Sequence, residues 1–118
     1  MDRRKELKLA YKQNPPPAGV FQIKNLVNGK IFLGSGLDVQ GILNRHRSQL
    51  KFKSHRNKAL QQDWNEYGPE QFSCEVLEYL ESNDDPGYDA RGDLTVLEEL
   101  WLEKLQPYGE KGYHKLKS

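Results

Sequence analysis

Two short apolar runs open the patterned part of the chain: Val20, Phe21 and Ile23, then Ile31, Phe32 and Leu33. These are β-favouring residues, and they predict strands over Gly19 to Lys24 and Lys30 to Gly34. Asn28-Gly29 lies between them. Both residues tolerate positive φ, so the spacing predicts an antiparallel hairpin closed by a tight turn. Gly34-Ser35-Gly36 then breaks the pattern. From Val39 onward the period changes: Val39, Ile42, Leu43, His46 and Leu50 recur at intervals of three and four, which predicts a helix of about three turns. Gly41 within it weakens that helix by about 1 kcal/mol relative to Ala. After a break near Ser54-His55, a second helix is expected over Asn57 to Tyr67. Ala59, Leu60, Trp64 and Tyr67 take one side of it, and Gly68-Pro69 stops it. Phe72 to Leu80 reads as a third strand, and Glu81 to Gly92 as a polar loop around Asp84-Asp85-Pro86-Gly87. Leu94 to Leu105 reads as a third core helix, with Leu94, Leu97, Leu100, Trp101 and Leu105 turned inward. Pro107 and Gly109 close it, and the tail Gly112 to Leu116 is expected to fold back on the sheet.

Residues 1–14 form a separate charged stretch with Leu7, Ala10 and Tyr11 at helical spacing, so a short N-terminal helix is expected there. Residues 15–18 are a proline-rich linker, stiff because Pro15, Pro16 and Pro17 fix φ and lack amide donors. Residues 19–118 then make one domain. The order strand, turn, strand, helix, helix, strand, helix predicts an α+β fold, with a small three-stranded antiparallel sheet flanked by helices.

Composition narrows the class. The chain has 118 residues, 36% apolar and 30% charged, which suits one modest core. There is one cysteine, Cys74, so no internal disulfide can form and nothing points to an oxidising compartment. The first eight residues are charged apart from Met1 and Leu7, and no apolar run approaches the roughly 18 residues of a membrane span. The expectation is a cytoplasmic protein without a membrane partner.

The formal net charge is only +1, but the charge is unevenly placed. From Ile42 to Leu60 the bases Arg45, Arg47, Lys51, Lys53, Arg56 and Lys58 meet no acid, and His46 and His55 lie among them. From Glu75 to Glu103 ten acids face one base, Arg91. A chain of near-zero charge can thus present a basic face suited to phosphates, and those six bases are candidate nucleic-acid contacts. A plain solvated face is the competing reading.

Several segments are more specific. Gly19-Val20-Phe21, Asn28-Gly29-Lys30 and Phe32-Leu33-Gly34-Ser35 resemble the signature region of the GIY-YIG nuclease family, whose triplets are Gly-Ile-Tyr and Tyr-Ile-Gly. Downstream, Arg45-His46, then Asn65-Glu66-Tyr67-Gly68 with Phe72, then Leu97-Glu98-Glu99-Leu100-Trp101-Leu102, and finally Gly112-Tyr113-His114 resemble later family segments in the same order. The resemblance covers about Gly19 to Leu116. It implies a phosphodiester-cutting site in which one glutamate, here Glu98, holds Mg²⁺ or Mn²⁺, tyrosines position or deprotonate water, and an arginine steadies the phosphate. DNA is the implied nucleic-acid partner.

The departures fall on the chemistry. Phe21 and Phe32 stand where the family usually has tyrosines. A phenyl ring keeps the packing but neither accepts a proton nor orients a water, and losing a general base costs about 10² to 10⁴-fold in rate. Ile42, counted from Gly34, stands where the family usually has its helix arginine; Arg45 lies three residues on. His46, four residues after Ile42, is a candidate proton acceptor in place of a tyrosine. His114 replaces an asparagine and keeps a hydrogen-bond donor. Each candidate has a plainer reading: Phe21 and Phe32 as core aromatics, His46 as an ordinary helix histidine, and Glu98 as the partner of Thr95 in a capping box. Three functions remain open. The first is a degenerate nuclease domain that binds nucleic acid with weak or no hydrolysis. The second is an active Mg²⁺-dependent endonuclease using Glu98, His46, Arg45 and His114. The third is a non-catalytic interaction module.

Overall fold

Strand β1, Gly19–Asn25, is the middle strand of a three-stranded antiparallel sheet, with β2, Ile31–Gly36, on one side and β3, Phe72–Tyr79, on the other. This computed structural model describes residues 16–81 and 87–115. Six of the seven β1 residues are buried, as a strand covered on both faces requires. Phe21 lies opposite Gly34 and Val76, and Ile23 opposite Phe32 and Cys74, so these side chains share one face. That face packs under α1, Val39–Lys51, and the neighbouring α2, Lys58–Tyr67, in a cluster that includes Phe21, Ile23, Leu43, Leu50, Leu60 and Tyr113. Helix α3, Ala90–Leu105, lies against β1 and β2 from the opposite face, where Ser35 of β2 meets Glu98.

The expected α+β order of three strands and three helices is therefore present, and several local expectations are corrected. The hairpin turn is not tight: Leu26 to Lys30 connect the strands. The Asn25 carbonyl accepts from Gly29 N and the Lys30 carbonyl from Asn25 N, both at 2.8 Å, while Asn25 Oδ1 takes Val27 N–H at 2.9 Å. Gly29 supplies the one positive φ this wider turn uses, +79°. Gly34-Ser35-Gly36 does not end the strand either. A Cβ at Gly34 would overlap the tip of the Phe21 ring, and one at Gly36 would sit 2.7 Å from Ile42 Cγ1. The glycines are there because neighbours pack onto the strand.

In α2, Ala59 is exposed and Gln61 is buried in its stead. Gln61 is satisfied on both ends: its Oε1 accepts from His55 N at 3.0 Å and its Nε2 donates to the Leu50 carbonyl at 3.0 Å. Helix α3 begins at Ala90, inside the stretch expected to be loop, and Leu100 is 57% exposed rather than inward. The sheet is narrow and covers only one stripe of this helix, the one through Leu94, Glu98, Trp101 and Leu105; Leu100 falls outside it. Trp64 is half-buried against Phe72, and Trp101 is half-buried with its indole N–H donated to Glu78 at 2.9 Å. The tail folds back as expected as far as it is described: Gly112 bridges Ile31, and Tyr113 N–H donates to the Ile31 carbonyl at 3.0 Å. The expected helix over 1–14, Pro15, Asp84 to Pro86 and Leu116 lie outside the described residues. Among those described, no helix is long and apolar enough to cross a membrane.

Gly34→Ala should destabilise the protein by about 1–3 kcal/mol through overpacking against Phe21. Urea unfolding checks this. An unchanged midpoint would mean that the ring moves aside freely.

Candidate active site along the β2 edge

The Phe32 ring is the centre of a cluster of imidazoles delivered by three different segments. His46 comes from the inward side of α1, His55 from the turn after it, and His114 from the tail. Their centroids lie 5.3, 5.4 and 5.0 Å from that of Phe32; His55 meets it edge-on and His114 stacks on it at 17°. Phe21, fully buried, is 5.2 Å from His46. The structure thus brings together Phe21, Phe32, His46 and His114 from widely spaced parts of the sequence. It adds His55, which sequence reasoning missed. Its signal was only that it interrupts the basic stretch in the turn after the helix that carries His46.

Backbone amides fix where the ring protons sit, because an amide N–H can only donate. Asn57 N–H donates to His55 Nδ1 at 3.0 Å, so neutral His55 carries its proton on Nε2. That nitrogen lies 2.8 Å from His46 Nδ1. His46 Nδ1 is therefore the acceptor, and the proton of neutral His46 is on Nε2. Leu33 N–H donates to His114 Nε2 at 2.8 Å, which leaves the His114 proton on Nδ1. All three rings are held neutral. Burial, followed by the neighbouring His55 and Arg45, lowers the His46 pKa to about 4. Burial also lowers His55, and it lowers His114 despite the nearby Glu98 charge.

Glu98 approaches from the other face of the sheet. Its Oε2 accepts from Ser35 Oγ at 2.6 Å, and its charge reaches His114. The capping-box reading fails: the helix starts at Ala90, and the Thr95 hydroxyl donates to the Arg91 carbonyl inside it, 2.9 Å away. Ser35 is a second missed neighbour, although it ends the Phe32-Leu33-Gly34-Ser35 segment. Ile42 is packed on Gly36. Arg45 is exposed, close enough for its charge to act on His46.

The basic stretch does not form one face. Arg56 and Lys58 lie with Lys115 around a cavity bordered by Tyr113 and His114. Arg47 and Lys51 border a different groove, with Trp64, Phe72 and Cys74. Lys53 borders neither, and lies in the turn after α1 at φ +59°.

No family model matches the sequence. The chain is 34% identical over 88 residues to intron-associated endonuclease 1 of Enterobacteria phage T4; the match covers 75% of this chain and 33% of that protein. The chain thus spans about a third of the length of that curated relative. Among solved structures, the catalytic domain of homing endonuclease I-TevI superposes with a TM-score of 0.66 at 28% identity, covering 85% of this chain and 99% of that one. A mutant form of the same catalytic domain gives 0.60 at 28% identity, over 76% and 84% of the two chains.

The lowered histidine pKa values set a sign for the pH dependence of stability. The unfolded chain protonates His46 near pH 6.5, whereas the folded chain does so only near 4. The stability contribution is complete above pH 6.5 and lost as pH falls toward 4. Melting curves should be flat above pH 7 and decline from pH 6.5 downward, with a shallower decline for His46→Asn. An identical slope in that variant would refute the assignment.

Proposed function

We propose that the chain is a GIY-YIG-type nuclease domain, on its likeness to the I-TevI catalytic domain, and that it binds nucleic acid, DNA in the first instance, along the β2 edge while hydrolysing it weakly or not at all. Hydrolysis of a phosphodiester needs a base for the attacking water and charge stabilisation at phosphorus. Phe21 and Phe32 provide no hydroxyl. His46 is the remaining candidate base, and the observation that carries the proposal is its hydrogen-bond direction. Its Nδ1 lone pair is occupied by His55, and its Nε2 already bears the proton. His46 is thus a neutral donor, able to hold a phosphate oxygen and unable to take a proton from water. Ile42 offers no guanidinium. Arg45, Arg56 and Lys58, with Lys115 beside His114, are the phosphate contacts on this side.

The family implies Mg²⁺ or Mn²⁺. The donor set fits a weakly held, largely hydrated ion: Glu98 is a single carboxylate, and among the described residues no three His, Cys, Asp or Glu side chains are placed to share a metal ion. Glu98 would hold the ion, which when bound supplies positive charge for the phosphate. Ser35 fixes the orientation of that carboxylate.

Two measurements test this reading. In a supercoiled-plasmid nicking assay with Mg²⁺ or Mn²⁺, the wild type should nick little or nothing, and Phe21→Tyr/Phe32→Tyr should gain activity. Robust nicking by the wild type that disappears in Glu98→Ala would overturn the proposal. Duplex affinity should fall with salt, and Arg56→Gln/Lys58→Gln should make the log–log slope shallower by about 2. A salt-independent affinity would favour a protein-interaction module.

A further inference from the structure

The groove on the other flank of α1 takes no part in the chemistry above. Trp64, Phe72 and Cys74 line it on one side, and Arg47, Ser48 and Lys51 on the other. It encloses roughly 600 Å³, within the range of about 300 to 1,000 Å³ common for ligand sites. No carboxylate lines it. Arg47 and Lys51 are exposed and one helical turn apart, so both heads overhang the same side. Arg47 and Cys74 both line the groove, and the Arg47 charge reaches the thiol, opposing the burial that raises its pKa. Beside Lys51 and outside the groove lining, Phe52 is 73% exposed, and Lys51 Nζ lies 6.0 Å from its ring centroid.

Two cations and two aromatic rings therefore line one groove, with a third, exposed ring beside Lys51. Single-stranded nucleic acid needs this combination, since its phosphates meet the cations and its unstacked bases meet the rings. A duplex buries its base faces in its own stack and would leave the rings unused. An acidic peptide would meet Arg47 and Lys51 but bring no planar partner for Trp64 or Phe52.

We propose that this groove holds an unpaired stretch of nucleic acid, with bases against Trp64 and Phe52 and phosphates on Arg47 and Lys51. The inference rests on the nucleic-acid reading of the β2 edge. It gives that reading a substrate class, a duplex continuous with a single strand, with α1 between the two paths.

The test is fluorescence anisotropy with the full chain, using an oligothymidylate of about 12 nucleotides and, separately, a blunt duplex. Arg47→Gln/Lys51→Gln should weaken oligothymidylate binding about tenfold or more and alter duplex binding by less than about twofold. Phe52→Ala, at an exposed position where folding is not at risk, should weaken the single strand about fivefold or more. Equal losses for both ligands, or no loss for oligothymidylate, would overturn the assignment. A wild type that binds duplex but not oligothymidylate would overturn it and leave the β2-edge reading standing; a wild type that binds neither would remove both.

Discussion

Tyr113 makes the four hydrogen bonds on which the arrangement around the β2 edge depends. Its hydroxyl accepts from Asn25 Nδ2 at 3.0 Å and donates to Asp63 at 2.8 Å. Its amide donates to Ile31, and its carbonyl accepts from Asn57 Nδ2 at 2.9 Å. One buried residue thus ties the end of β1, the start of β2, the cap of α2 and the body of α2. Burial keeps its hydroxyl protonated and donating across the ordinary pH range. Both neighbours of the site inherit their positions from it: His114 is the next residue, and Asn57 is the residue whose amide orients His55.

That dependence places imidazoles from three segments round the Phe32 ring. The two strands pack closely here, since Phe21 needs Gly34 opposite it and Ile42 fills the space over Gly36. None of the side chains of Phe21, Phe32 and Ile42 carries a polar group. What remains is a chain of donors set by backbone amides, with each ring kept neutral by burial. Such a cluster complements an anion geometrically, but it has no vacant basic nitrogen on His46.

Much of this was legible in the sequence. The β-favouring runs, the helical spacing from Val39 and the stop at Gly68-Pro69 place the elements because those signals are local. The segments around Phe21, Phe32, Glu98 and His114 point to the candidate site because their order along the chain is informative. What was not legible depends on the third dimension. Gln61 reads as a surface residue until Leu50 and His55 are seen to use both ends of its amide. Leu100 reads as core until the narrow sheet is seen to cover one stripe of α3. Thr95 and Glu98 fit a capping box as text, but the helix begins five residues earlier. The six bases read as one face, although α1 turns Arg47 and Lys51 away from Arg56 and Lys58.

The tail has a consequence beyond positioning His114. An outermost strand offers a row of unpaired amides and carbonyls that another polypeptide can extend into a larger sheet. Along β2, the Ile31 carbonyl is taken by Tyr113 and the Leu33 amide by the His114 ring. An imidazole and one short stretch of backbone therefore do what an extra strand would do, closing this side of the sheet to strand addition. Protection against edge-to-edge aggregation thus comes from the same residues that line the candidate site, so a change at position 114 would bear on solubility as well as on that site.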